Sequence, residues 1–205
     1  MSKGSKIALG VVGALVLIVF MLFSWVTGSY NKLVTLDQAT QAQWGQVENA
    51  YQRRADLVPN LVATVKGAAK FEQDTLIAVT EARSKVGQVS SGAIANIAND
   101  PAAFAKFQQA QDGLSSALSR LMVVMEKYPE LKATQGFSDL QVQLEGTENR
   151  ISQERMRFNT AAQDFNATRG SFPTVIVAGF FGSKFQDKPY FKATTGADKP
   201  PEVKF

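Results

Sequence analysis

The sequence predicts an all-α protein. One N-terminal transmembrane helix continues into an antiparallel bundle of three to four long helices, followed by an irregular C-terminal segment. Three observations carry this. Ile7 to Val26 is an uncharged apolar run of twenty residues. From Tyr30 to Phe165, apolar side chains recur at the alternating three- and four-residue steps of helices that pack on helices. Beyond Phe172 that period is lost. The domain boundaries expected from these shifts are 1–28 for the stub and anchor, 29–170 for the bundle, and 171–205 for the C-terminal segment and tail.

The first run spans roughly 30 Å as a helix, the thickness of a bilayer's hydrocarbon core. A cleaved signal peptide is the competing reading, with Val26 and Gly28 before a cut at Ser29. The run exceeds a signal peptide's apolar region, and Trp25 and Tyr30 stand where interfacial aromatics anchor a span, so an uncleaved anchor is expected. Lys3 and Lys6 precede it and only Lys32 follows closely, so the N-terminus is expected in the cytoplasm and the large domain outside. Gly4 with Ala8, and Gly10 with Ala14, form small-residue pairs that could bring two anchors together.

Without the anchor, about 177 residues remain, enough for one domain with a core. Setting Lys3 and Lys6 aside leaves 20 basic residues against 18 acidic ones, too little excess for a nucleic-acid surface. The chain has no histidine and no cysteine. This removes His-assisted nucleophiles, His-ligated metals and the Glu-x-x-His pattern of di-metal bundles. No catalytic, cofactor or metal residue is assigned. Glu145 and Glu148 share a helix face, but two carboxylates at that spacing are ordinarily solvated or ion-paired.

In the first bundle helix, Tyr30, Trp44, Tyr51, Val58 and Val65 hold one heptad position, and Leu33, Val47, Leu61 and Ala68 its partner. Asp37 and Arg54 fall on the same seam, which is unusual for a simple core. No Gly-Pro linker separates the span from Tyr30, so anchor and domain are expected to share one rod. Pro59 deprives the Ala55 carbonyl of its helical donor and predicts a bend at 55–59. The pattern resumes through Phe71, Leu76 and Val79 to about Gly87, and 87–100 reads as a loop with room for a helical turn.

Asp100-Pro101 predicts a capped helix start, followed by Phe104, Phe107, Leu114, Leu118, Leu121, Met125 and Tyr128. Pro129 and the Gly136 region close that helix. Ser138 and Gln141 match a capping box, with Phe137 and Val142 as a hydrophobic staple. Phe137, Leu144, Ile151, Phe158 and Phe165 then recur every seven residues to about Thr168. The stretch SFPTVIVAGFFGSKF is too short to cross a bilayer. It reads either as packing across the open end of the bundle or as a membrane or subunit contact through Phe172, Ile176, Phe180 and Phe181. Residues 192–205, with Pro200-Pro201, read as an extended tail.

Two clusters exceed core periodicity: Tyr51-Gln52-Arg53-Arg54-Ala55-Asp56-Leu57-Val58-Pro59-Asn60-Leu61-Val62, and Glu126-Lys127-Tyr128-Pro129-Glu130-Leu131-Lys132. With Trp44, Glu148, Ile151, Arg155, Asn159, Phe172-Pro173 and Val203-Lys204-Phe205, the chain closely resembles the LemA family. The resemblance implies a bacterial envelope protein with one membrane segment, long antiparallel helices and no established enzymatic activity. Together with the basic residues flanking the span, this gives an expected single-pass location in the bacterial inner membrane with the domain outside the cytoplasm. One relative of that family takes part in building magnetosome membranes, and association with HtpX-type membrane proteases has been suggested. The expected role is therefore a non-enzymatic scaffold that acts by homo-oligomerisation, with an adaptor of a membrane protease or another envelope complex as the alternative. The expected partners are the bilayer and further copies, without nucleic acid or cofactor. Within the clusters, Arg53, Arg54 and Asp56 are expected to pair with Glu126, Glu145 or Glu148 across facing helices, in a register-fixing network that includes Pro59, Asn60 and Arg155, with a polar partner site as the alternative.

Overall fold

The computed structural model describes residues 3–66, 72–93, 97–182 and 184–192. The expectations for Ala68 and Phe71, for the end of the 87–100 loop before Ile97, and for the tail beyond Lys192 lie outside these residues. Helix α1 runs from Lys3 to Lys66, α2 from Gln73 to Ala93, α3 from Pro101 to Met125 and α5 from Gln135 to Gly170. Two short helices, α4 (Pro129–Lys132) and α6 (Thr174–Phe180), and a 3-10 turn at Ile97–Asn99 complete the elements. No strand occurs among the described residues.

The 64 residues of α1 make a rod of roughly 96 Å. Its first part, from Leu9, is long and apolar enough to cross a membrane and is entirely uncovered by the rest of the chain. The same helix then becomes the first member of the bundle without a break at residue 28. There α1 packs on α5 and α2 on α3, and the two pairs face each other. Antiparallel order follows from α1 and α5: Leu33 meets Phe165, Trp44 meets Phe158, and Val58 shares a cluster with Leu144.

The heptad seams read from sequence are the observed core. Leu33, Val47, Val58, Leu61, Val65, Leu114, Leu121, Phe158 and Phe165 are all at most 1% exposed. They form three apolar clusters along the rod. A membrane-distal cluster centres on Val58, Leu61, Leu118 and Leu121. A central aromatic cluster surrounds Trp44, whose ring lies 5.2–5.6 Å from those of Phe104, Phe107 and Phe158. A membrane-proximal cluster joins Leu33, Phe165, Ala178 and Phe185.

Several local expectations need correction. Pro59 does not divide α1, which runs on through it to Lys66. The orphaned Ala55 carbonyl instead accepts the Arg83 Nε–H of α2 at 3.0 Å, so a neighbouring helix supplies the missing donor. Helix α2 continues past Gly87 to Ala93, and Val89 packs against the central cluster, so packing overrides the weak local propensity of that stretch. The Asp100 cap forms as read, its carboxylate accepting Ala102 N–H at 2.8 Å and Ala103 N–H at 3.2 Å. The Ser138/Gln141 box does not form, because α5 already starts at Gln135 with Thr134 extended before it, placing Ser138 inside the helix. Val142 is correspondingly exposed, so the staple is not made. The segment expected to be irregular contains α6, with Val177 and Ala178 buried.

Candidate functional site

The three apolar clusters are separated by two buried charged layers, each set by one of the two charges on the α1 seam. The distal layer is built on Arg54, which is 1% exposed. Its Nη1 donates to Glu148 Oε1 of α5 at 2.7 Å and to Ser115 Oγ of α3 at 2.5 Å. Its Nη2 donates to the Gln111 side-chain oxygen at 2.6 Å and the Gln111 carbonyl at 3.1 Å. Nε–H has no acceptor among the described residues. The guanidinium carbon lies 5.1 Å from the centre of the Tyr51 ring one turn earlier. A planar fork with several donors thus links three helices at one level.

The second layer lies about 25 Å nearer the membrane, at the height of Asp37 on α1. Its cation is Lys188, which belongs to no helix. Its Nζ donates to Asp37 Oδ1 and to Asn99 Oδ1 and stands 4.8 Å from the Phe165 ring centre. Lys188 is the middle anchor of an extended strap, residues 184–192, that runs back along α5 toward its N-terminus. Phe185, Lys188 and Phe191 are buried at three-residue spacing, reaching the proximal cluster, the charged layer and the central cluster in turn.

α5 holds this strap mainly by its backbone. Asn166 donates to the Lys188 carbonyl at 2.9 Å and accepts the Lys188 N–H at 2.8 Å. Asn159, one heptad away, repeats the pattern on Phe191 at 3.0 and 2.9 Å. Arg155 and Gln108 both donate to the Lys192 carbonyl, at 2.8 and 3.0 Å, and Arg169 donates to the Phe185 carbonyl. A side-chain amide carries both a donor and an acceptor, so it can mimic a neighbouring strand for an extended segment. Beside the end of the strap lies an open groove of about 730 Å³, lined by Glu148, Arg155, Asn159, Tyr190 and Lys192 among others.

Of the residues read as a signature cluster, the structure brings together Arg54 and Glu148. Arg53 is exposed, and Asp56, also exposed, accepts from Gln52 Nε2 at 2.8 Å on its own helix. Asn60 is exposed, and its carbonyl accepts the Thr64 hydroxyl. Glu126 stands at the exposed end of α3, 3.5 Å from Lys132, and Glu145 accepts from Gln141 at 2.9 Å. Arg155 serves the strap, and its guanidinium lies 4.7 Å from the Phe191 ring centre. Pro59 acts through the Ala55–Arg83 bond. The physical reason is spacing: Arg53 and Asp56 flank Arg54 on a helix, so when Arg54 faces inward they turn outward. Phe172, Ile176 and Phe180 are strongly exposed, and Phe181 packs edge-on against Tyr30 with ring centres 5.0 Å apart.

Sequence reading missed Lys188, Gln111, Asn166, Arg83 and Glu154. Glu154 is 3% exposed yet pairs with Arg157 at 3.1 Å. The Phe185-x-x-Lys188-x-x-Phe191 spacing and the Asn159/Asn166 heptad pair were the available signals. Burial raises the Glu48 carboxyl above the ordinary range, partly opposed by the Trp44 Nε1–H bond at 2.7 Å. Burial likewise raises the Tyr51 phenol, against the opposing pull of Arg155 and Arg54. Among the described residues, no three carboxylates converge as a metal ligand set. Chemically, Arg54 and Lys188 are engaged in joining elements, whereas Glu154 pairs within α5.

The LemA family profile matches residues 43–205, and the chain belongs to the LemA family. It is 28% identical over 207 residues to magnetosome protein MamQ 2 of Paramagnetospirillum magneticum, covering 92% of this chain and 75% of that protein. It is also 28% identical over 185 residues to magnetosome protein MamQ of Magnetospirillum gryphiswaldense, covering 83% and 67%. Similarity extends to protein LemA of Metamycoplasma hominis, at 25% over 151 residues, covering 74% and 64%. None of these names denotes an enzymatic activity.

Proposed function

We propose that this LemA-family chain is a non-enzymatic membrane scaffold that acts by homo-oligomerisation, with its N-terminus in the cytoplasm and its bundle outside the bacterial inner membrane. The observation that carries the reading is the continuity of α1, one helix from the candidate span to the distal end of the bundle. A helix without a linker transmits the orientation of the anchor to the domain, so copies that meet in the membrane present the same faces at the same height. The buried charged layers support it further, because they lock α1, α3, α5 and the strap into one register. Two of the relatives are named for the magnetosome, which suits a role in membrane organisation.

The test is imaging and mass measurement of full-length protein extracted gently from native membranes. Assemblies containing only this chain are expected. A monodisperse monomer across a wide concentration range would overturn the scaffold. A stoichiometric heterologous partner, such as a membrane protease, would favour the adaptor role instead.

A further inference from the structure

We propose that α6 and the turn before it form a membrane-surface foot, which inserts Phe172, Ile176 and Phe180 among the headgroups of an anionic leaflet beside the exit of α1. The inference does not depend on whether copies assemble. Phe172 is 82% exposed in the turn before α6, and Ile176 at 58% and Phe180 at 84% stand four residues apart on the helix as an apolar ridge. The opposite side of α6 is buried through Val177 and Ala178, so the short helix is fixed to the bundle and its ridge is held outward.

Height decides what the ridge meets. Phe181 and Phe185 pack on Tyr30, with ring centres 5.0 and 5.5 Å apart, and Ala178 shares a cluster with Leu33. Tyr30 lies four residues past Val26, where the apolar run ends, and Leu33 seven. Along a helix these are rises of roughly 6 and 10 Å, so Tyr30 stands within the headgroup layer of about 5–7 Å that flanks the hydrocarbon core and Leu33 just outside it. A ridge of large apolar side chains at that level lies where interfacial helices settle.

The charges agree with a lipid occupant rather than a second copy. Lys32 is exposed at this end. Lys184, also exposed, donates to the Tyr30 hydroxyl and stands 4.8 Å from its ring centre. Arg169 is paired with the exposed Asp187 at 2.8 Å, and the exposed Asp164 of α5 offsets one of the two lysines, so a net positive charge of one remains at this end. Cations beside an apolar ridge suit anionic headgroups, whereas two copies meeting by this face would bring like charges together. With the span as one attachment and the foot as a second, the tilt of α1 and the rotation of the bundle about it are both restrained.

The chain has no cysteine, so single spin labels can be placed cleanly. Ile176→Cys, Phe180→Cys and the distal control Val123→Cys, exposed on α3, would be labelled in full-length protein in nanodiscs of phosphatidylethanolamine and phosphatidylglycerol. Power saturation should show positions 176 and 180 shifted to oxygen access with loss of access to a soluble nickel chelate, while 123 keeps nickel access. Nickel access at 176 and 180 equal to that at 123 would overturn the foot. Exclusion of both reagents with dipolar broadening between labels would overturn it in favour of a contact between copies. In phosphatidylcholine discs the two positions should become shallower, and unchanged depth would overturn the role given to Lys32 and Lys184.

Discussion

The two charged layers solve the same problem with different chemistry. Arg54 is deeply buried, but its carboxylate, Glu148, is 44% exposed at the bundle edge, and neutral oxygens of Gln111 and Ser115 complete its solvation. In the Lys188–Asp37 pair both side chains are withdrawn from water, at 2% and 14% exposure. An ammonium has fewer directed donors than a guanidinium, so a close anion, one amide oxygen and an aromatic face suffice for it. The layers also join different things. Arg54 ties helices to helices, whereas Lys188 ties a nonhelical strap to the finished bundle. The first layer joins the long helices to one another and the second joins the strap to them.

The largest effect should come from Arg54→Met, which leaves the Gln111 amide oxygen without its donor. A loss of about 3 kcal/mol in urea unfolding is expected, with protection falling throughout the bundle in hydrogen exchange. Adding Gln111→Leu should recover part of that loss. Lys188→Met should cost about 2 kcal/mol, with faster exchange concentrated in residues 184–192 and slow amides retained in α1 and α5. If both variants opened the whole bundle alike, the distinction between the layers would collapse. Asn159→Ala removes both strap bonds at Phe191 and should cost about 1.5 kcal/mol, again confined to the strap by exchange.

Arg83→Met should cost about 1 kcal/mol through the Ala55 carbonyl. In a Pro59→Ala background the helix regains its own donor, so the same change should become nearly neutral in a double-mutant cycle. The smallest effect concerns Glu48. Its carboxyl is raised in the fold by burial, so the stability from the protonated form is full below the unfolded-chain value and lost as pH rises through the folded one. Glu48→Gln keeps an acceptor for Trp44. It should raise the Tm slightly at neutral pH and leave it unchanged near about pH 4, where the unfolded carboxyl is largely protonated. Melts of the full chain in detergent at both pH values would check this.

The layers also show how far local pattern reaches. Trp44, Val58, Phe104, Leu121 and Phe158 were legible as core because a buried helix face repeats on a fixed period. Asp37 and Arg54 were legible as anomalies on that face, and the carbonyl freed by Pro59 was legible from proline chemistry. The failures were of two kinds. Gly87 suggests a helix end where packing of Val89 carries α2 onward, and Ser138-x-x-Gln141 matches a cap inside a helix that starts earlier. The charged cluster was read as one site because Arg53, Arg54 and Asp56 are adjacent in the chain, although on a helix their side chains diverge.

What the sequence by itself determined is the helical architecture: the apolar span, its run into the bundle, the seams and the Asp100 cap. Each depends on residues within a few turns of one another. Only the tertiary structure decided the partners: Gln111 and Glu148 for Arg54, 57 and 94 residues away, and Lys188 for Asp37, 151 residues away. It also decided the strap on α5 and the outward ridge of α6. Periodicity is a local property that folding preserves, whereas the partner of a buried charge is selected by which distant segments arrive at the same height.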